Sequence, residues 1–335
     1  MQENHVTAIS EEHEQTCWGC GLRLLLVSYS PVFKCGWCGA ITNPQNRIRK
    51  PDSTCFSLWR RIRDRFFVSV LLLFMSFVIC AGFWAVYPVV FSINYFCGVF
   101  HSTITAILSL SSLSTFCLAS FKSAGTPLNI TWGSYPVVGK DSLENFTFCA
   151  YCEKPKPPRA HHCRSCRICV LDMDHHCPFI GNCVGAANHQ YFIFFLISIV
   201  VSCSYVIGMT SYAAFHTWPS NHEPSALVTS LLLKQILSGI ATSVLSLSAR
   251  GIILIYLAFA CISVEIGIAF LLWQQLCYIY EGKTYVNHIK GDYNMGGERG
   301  CQNILRFFSC PYLAYRMLLI PSNAAKMQES SSKIL

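Results

Sequence analysis

Residues 66–121 contain no Asp, Glu, Lys or Arg. An uncharged, largely apolar stretch of that length is what a bilayer demands, at about 20 such residues per spanning helix. The pattern predicts a first span over 66–87, ended by Pro88, and an uncharged turn over 91–98. A second span over 99–121 is richer in Ser and Thr, which bond back onto their own helix. Apolar runs at 191–213 and 251–276 predict two more. Charged residues are 13% of the chain and apolar residues 53%, so the fold class is an all-α integral membrane protein with four transmembrane helices.

The net charge of +8 sits mainly beside the spans. Arg47, Arg49, Lys50, Arg60, Arg61, Arg63 and Arg65 precede the first, and Lys283, Lys290, Arg299, Arg306 and Arg316 follow the last. Positive charge marks the cytosolic side. Both termini and residues 122–190 are therefore expected in the cytosol, and the segment between spans 3 and 4 on the far side. Residues 226–247 are mostly apolar but contain Lys234. They read as an amphipathic helix at the far interface, because a fifth span would separate the two basic ends. The sequons at Asn129 and Asn145 then face the cytosol and are expected to stay unmodified. No cleavable signal peptide is visible, so the first span is expected to act as its own insertion signal.

The organisation expected is a cytosolic N-terminal region over 1–45, of which 1–14 are polar and expected to be disordered. Spans 1 and 2 fill 66–121, and a cytosolic cysteine-rich domain covers 122–190. Spans 3 and 4 with their intervening segment fill 191–276, and a cytosolic tail covers 277–335. Twenty cysteines, many in C-x2-C pairs, indicate metal sites in a reducing compartment rather than a disulfide scaffold. Cys17-x2-Cys20 and Cys35-x2-Cys38 fit a small zinc ribbon, with a short hairpin between the knuckles over 22–28. The ribbon is favoured over four free or lipidated cysteines, since paired C-x2-C seldom arises by chance.

Residues 149–183 hold seven cysteines and four histidines. Two closed zinc sites need eight such ligands, which leaves three over. Adjacent residues of an extended turn point apart, so His162 and Cys163 serve different metals, and two sites interlock along one short chain. Metal would supply most of the folding energy of a segment so poor in core residues. Asp174-His175-x-Cys177 then places an acid, a base and a nucleophile within four residues. A thiol becomes nucleophilic beside a base, and a histidine is the better base when a carboxylate orients its other nitrogen. Cys177 precedes the third span by 14 residues, at the cytosolic membrane face. There a long acyl chain can lie between the spans while its polar carrier stays in water. A purely structural zinc module is the alternative that spacing leaves open.

At these residues the sequence resembles the DHHC-type protein S-acyltransferases, or palmitoyltransferases. The pattern runs from Cys149-x2-Cys152 through Lys156-Pro157-Pro158-Arg159, His161-His162-Cys163-x2-Cys166-x2-Cys169, Asp174-His175-His176-Cys177-Pro178 and Cys183 to Asn188-x3-Phe192. The resemblance covers about residues 60–310; the N-terminal ribbon lies outside it and looks like a lineage-specific addition of a sort seen in some plant members. It implies one zinc on Cys149, Cys152, His162 and Cys169, and a second on Cys163, Cys166, His176 and Cys183. Cys17, Cys20, Cys35 and Cys38 would hold a third. It implies Cys177 as nucleophile, His175 as general base and Asp174 as its orienting partner. Lys156, Arg159 and His161 would face the phosphates of coenzyme A, and basic residues suit that polyanion in any case. The implied reaction moves a palmitoyl group from acyl-CoA to Cys177 and then to a cysteine of a membrane-associated protein. The implied setting is the bilayer of the Golgi, endoplasmic reticulum or plasma membrane.

The sequence departs from the family pattern in three places. Phe179 replaces a Trp two residues after the nucleophile, keeping its apolar bulk. Ser123-Ala124-Gly125 stands for Asp-Pro-Gly, and Thr284-Tyr285-Val286-Asn287 for Thr-Thr-x-Glu. Whatever the last motif anchors against the zinc module is expected to be weaker or rebuilt. Asn303 with Phe307 and Phe308 matches a C-terminal Asn-containing element. The altered C-terminal motif is the only support for a second reading, a catalytically weak zinc-stabilised membrane scaffold. Nucleic-acid binding is disfavoured, because the zinc segments lack a dense basic face interleaved with aromatics. Cys55, Cys301 and Cys310 are juxtamembrane thiols open to lipidation or to no modification. Glu265, midway along the fourth span, is either functional or a protonated carboxyl bonded to a neighbouring helix. Tyr205 and Ser202 either line the deep end of an acyl cavity or simply pack.

Overall fold

The computed structural model describes residues 14–26, 32–43, 54–127, 140–141, 143–217, 248–289 and 300–309. Helix α1 (Thr54–Ile93) is followed by α2 (Tyr95–Phe121), and after the cysteine-rich segment by α3 (His189–Thr217) and α4 (Ala249–Tyr280). All four are long and apolar enough to cross a bilayer. Two short helices, α5 (Tyr285–Ile289) and α6 (Cys301–Ser309), follow. The expected amphipathic segment at 226–247 lies outside the described residues, as do Asn129 and Cys310.

The first span differs from its expected limits. At about 1.5 Å per residue α1 is about 60 Å long, twice the hydrocarbon thickness. Its basic first turns therefore project beyond the apolar layer. Pro88 does not end it; the helix continues to Ile93. Proline removes one N–H and its bond to the preceding turn, a loss that helices packed in a membrane bundle absorb. The expected turn over 91–98 shrinks to Asn94, whose side chain caps α2 by accepting from the Cys97 N–H. Gly98 makes so tight a reversal possible: a Cβ there would lie 2.4 Å from the Phe91 ring.

Helix α3 is the centre of the bundle, packing on α4 and α2, with α1 against all three. Ser112–Ser202 at 3.0 Å and Thr115–Ser198 at 3.1 Å join α2 to α3. Such hydroxyl pairs are useful where apolar burial gives no preference for protein over lipid. Glu265 accepts a 2.9 Å bond from Ser204 of α3, so this carboxyl does meet a neighbouring helix.

The all-α expectation needs one qualification. Ten strands of two or three residues pair into five antiparallel hairpins among the described residues. In the N-terminal ribbon β1 (Glu14–Thr16) pairs with β2 (Arg23–Leu25), and β3 (Phe33–Lys34) with β4 (Ile41–Thr42). Each knuckle thus caps its own hairpin, instead of the single hairpin expected between them. A C-x2-C turn reverses the chain by itself, so the flanking residues meet. Glu14, expected in a disordered tail, lies in the first of these strands. The cysteine-rich segment holds β5 (Thr147–Cys149) with β6 (Lys154–Lys156), β7 (His161–Cys163) with β8 (Ile168–Val170), and β9 (His175–Cys177) with β10 (Asn182–Val184).

Candidate active site

Each hairpin of the cysteine-rich segment closes over a C-x2-C knuckle or a tight turn, and the ladders set which ligands meet. His162 lies opposite Cys169, and His176 opposite Cys183. Side chains alternate along a strand. In β9 His176 therefore points to one face while His175 and Cys177 share the other. The tripeptide His-His-Cys separates a metal ligand from a reactive pair by strand geometry alone.

Ligand atoms of Cys149, Cys152, His162 and Cys169 lie within 4.8 Å of one another, as do those of Cys163, Cys166, His176 and Cys183. Tetrahedral zinc with Zn–S bonds of about 2.3 Å sets its sulfurs about 3.8 Å apart. In the first set Cys152 and Cys169 are 3.7 Å apart, with His162 Nδ1 at 3.2 and 4.0 Å. In the second, Cys166, Cys183 and His176 Nδ1 are 3.4–3.5 Å apart. The Cys169 thiol draws Cys149 down to about 5, and Cys169 is itself pushed up, so a proton is shared where a cation would take its place. Donor chemistry and spacing both fit zinc. His176 Nε2 donates to Asp64 Oδ2 at 3.0 Å, and Arg63 holds the other oxygen at 2.7 and 3.0 Å. A carboxylate behind a ligating imidazole fixes its orientation. Asp64 belongs to α1, so the second metal set is tied to the membrane bundle.

Asp174 is fully buried, and three donors offset that cost. His175 Nδ1–H donates to Oδ2 at 2.7 Å, Gln275 Nε2 to the same oxygen at 3.1 Å, and the Tyr285 backbone N–H to Oδ1 at 2.7 Å. His189 Nε2, 3.2 Å from Gln275 Oε1, turns that amide so its NH2 faces Asp174. With Nδ1 engaged, Nε2 is the ring nitrogen left for Cys177. Burial opposes charge on all three groups, but their mutual attraction wins. It holds Asp174 below and Cys177 below their ordinary values, and raises His175 to about 9. These shifts favour an imidazolium beside a thiolate over the neutral pair. Replacing Gln275 by Leu removes one charge-assisted bond, so initial acyl uptake by the protein should fall about tenfold with zinc content unchanged. An unaltered rate would show that Gln275 does not position Asp174.

Cys177 opens onto a cavity of about 420 Å3 between the four long helices. Its walls are apolar, among them Met75, Phe179, Phe192 and Leu196, and Ser202 and Tyr205 lie farther along it. Tyr205 hydroxyl meets His101 Nδ1 at 2.7 Å, and Tyr87 donates to the His101 carbonyl at 2.9 Å. Phe179 lies 5.1 Å from Phe67 of α1, so the apolar bulk expected after the nucleophile is in place. The zinc-fitting segment is seated on α2 by two asparagines. Asn182 donates to the carbonyls of Ala119, Ser120 and Lys122, and Asn188 to those of Ala119 and Cys183. These satisfy helix-end carbonyls that otherwise lack partners.

Residues 142–292 match the family model described as DHHC palmitoyltransferase. Over that stretch, just under half of the chain, the sequence is similar to the DHHC family. Among curated relatives, palmitoyltransferase pfa3 of Emericella nidulans is 30% identical over 210 residues, covering 53% of this chain and 40% of that protein. Palmitoyltransferase ZDHHC15 of Xenopus laevis is 47% identical over 80 residues, 24% of this chain and 23% of that one. Palmitoyltransferase PFA3 of Kluyveromyces lactis is 42% identical over 99 residues, 29% and 30% of the two chains. The matches span less than half the length of each of these relatives. In this chain the two altered motifs act through main-chain atoms. The Ala124 and Gly125 carbonyls accept from Ala187 and Leu171, and Tyr285 gives its N–H to Asp174. The expectation of a weakened or rebuilt anchor applies to side chains; the Tyr285 contact is made by the backbone. Asn303 donates to the Tyr280 carbonyl at 2.9 Å, and Phe307 stands 5.0 Å from His189, which brings α6 against the DHHC site.

Of the three residues expected to face coenzyme A, Arg159 pairs with Asp172 at 2.6 Å, while Lys156 and His161 sit half-buried on β6 and β7. Sequence reasoning missed Asp64, His189, Gln275 and the Tyr285 backbone. Asp64 interrupts the arginines at 60–65 in the first turns of α1, and Gln275 is a polar residue within the last predicted span; each was a usable signal.

Proposed function

We propose that this chain is a membrane-bound protein S-acyltransferase that carries a long-chain acyl group on Cys177. The observation that carries the proposal is Cys177 at the mouth of an apolar cavity, beside a His175 held by buried Asp174. The Cys177 thiolate attacks the carbonyl of a fatty acyl-CoA thioester. The bond to the CoA sulfur breaks, and that sulfur leaves with the proton held on His175. The acyl chain lies along the cavity, with Ser202 and Tyr205 toward its far end. An incoming protein thiol then gives its proton to neutral His175 and takes the acyl group, which returns Cys177 as the free nucleophile. Thioester exchange is close to isoenergetic, so positioning and thiol activation are the enzyme's tasks. Zinc on the two Cys3His sets would hold the hairpins rather than react. Lys156, Arg159 and His161 would meet the CoA phosphates.

The DHHC module and both termini are assigned to the cytosol, where acyl-CoA and the basic flanks belong, in an endomembrane or the plasma membrane. Substrates are membrane-associated proteins with accessible cysteines. The scaffold reading drew its support from the altered C-terminal motif alone, and the Tyr285 main-chain bond to Asp174 favours the enzyme over it. Purified protein incubated with palmitoyl-CoA should release free CoA in step with gain of a hydroxylamine-labile acyl group. A folded, zinc-loaded protein that does neither would refute the enzyme.

The pair of shifts sets a pH profile. Uptake is lost as pH falls through the lowered Cys177 value, since the thiolate is then protonated. It is lost again as pH rises past about 9, where His175 gives up the proton that the CoA sulfur needs. Initial rates across the pH range should form a bell whose acid limb lies below the ordinary thiol range and whose alkaline limb lies near 9. A rate that climbs steadily through the ordinary thiol range would contradict the ion pair.

A further inference from the structure

The N-terminal cysteines lie outside the DHHC match and have no part in the acyl-transfer reading. The sulfurs of Cys17, Cys20, Cys35 and Cys38 lie within 4.8 Å of one another. Cys17–Cys38 and Cys20–Cys35 are each 3.6 Å apart, the separation tetrahedral zinc requires. Three of the four are buried in a unit that has little else to bury: Trp18, Ala40 and, from a distant part of the chain, Leu143. A unit with so small a core needs a metal to fold.

The distant segment is the informative part. The second knuckle binds Asp141 and residues 143–146 through the main chain. Asp141, Leu143 and Asn145 donate to the carbonyls of Trp37, Cys38 and Gly39 at 2.8, 2.9 and 3.0 Å, and Ile41 donates to the Phe146 carbonyl at 2.8 Å. Lys34 pairs with Glu144. Trp18 donates to the Ile41 carbonyl at 2.9 Å and stands 5.6 Å from Phe148. Gly39 has φ +75°, and a Cβ there would lie 2.8 Å from Glu144 Cα, so only glycine permits this approach. Phe148 and Cys149 are neighbours in β5. The ribbon therefore grips the strand that supplies the first ligand of the DHHC module.

We infer that Cys17, Cys20, Cys35 and Cys38 bind a third zinc ion, and that this centre clamps Asp141 and residues 143–148 and so steadies the strand carrying Cys149. The metal fixes the knuckle, the knuckle presents its carbonyls at fixed spacing, and the docked segment leads directly into the Cys149–Cys152 turn. No acyl-transfer step enters this inference, so its failure and the failure of the enzymatic reading are separable.

The test is metal content together with amide hydrogen exchange on the full chain in detergent. Wild type should hold three zinc ions per chain, one for each four-ligand set. The Cys35→Ser/Cys38→Ser double variant should lose one zinc, and X-ray absorption should show a smaller share of sulfur around the zinc that remains. Amides over 143–148 should exchange at least about tenfold faster in that variant, as expected when a local unit opens. Gly39→Val separates metal from docking: it should keep three zinc ions yet show the same faster exchange. It also serves if the double variant does not fold. Two zinc ions in wild type, or iron in the third set, would overturn the metal assignment. A third zinc whose loss leaves exchange over 143–148 unchanged would overturn the clamp.

Discussion

Replacing Cys177 by Ser should abolish acyl uptake from palmitoyl-CoA, by on the order of 10^3-fold or more, with bound zinc unchanged. Serine keeps the size of the side chain at the end of β9, so the hairpin with β10 and the neighbouring ligands His176 and Cys183 should be undisturbed. What it removes is a group that ionises beside His175. A serine hydroxyl stays protonated there, and the imidazolium, already charged through Asp174, has no reason to take its proton. The measurement is hydroxylamine-labile label and zinc content on the same sample. Label retained by the variant would move the acyl carrier to another cysteine, and Cys203 and Cys261 beside the same cavity would be the first to examine.

Asp174→Asn should lower acyl uptake by about 10^3-fold, with little change in apparent affinity for acyl-CoA. The carboxylate accepts from three donors and donates to none. An amide in its place can accept at one end only, so its NH2 must face the Tyr285 N–H, or else His175 and Gln275. Either arrangement sets donor against donor in a fully buried position. His175 then loses the partner that fixes Nδ1–H, and its raised value should fall toward the ordinary imidazole range. The alkaline limb of the pH profile should move down with it. A variant with wild-type rate and an unmoved limb would show that Asp174 does not orient His175. Asp174→Glu, which keeps the charge but not the length, is the control for simple loss of folding.

Much of the site was legible because its logic is local. Strand periodicity separates His175 and Cys177 from His176, and C-x2-C spacing forces each knuckle to turn. Both are properties of three or four consecutive residues. The three four-ligand sets that spacing and resemblance proposed for the DHHC segment and the ribbon are the sets that the structure gathers. Charge-free runs likewise specify spans, because a bilayer tests length and polarity and little else. The limits of the spans were less legible. A proline was read as a stop at Pro88, yet the cost of one missing hydrogen bond falls within what a packed helix tolerates.

What the sequence by itself determined, then, is which residues gather as candidate metal donors, which thiol has a base beside it, and which segments are long and apolar enough to cross a membrane. Tertiary structure alone decided who holds Asp174. Gln275 and Tyr285 are about a hundred residues away from it in sequence and approach only when α4 and the turn after it pack beneath the zinc-fitting hairpins. It also decided that Asp64 backs His176, that the cavity ends at Cys177, and that the N-terminal ribbon grips the strand of Cys149. Local geometry follows from covalent spacing and side-chain alternation. Long-range contacts follow from how helices and hairpins fill the space between them, and a backbone N–H given by Tyr285 leaves no mark in the identity of its side chain.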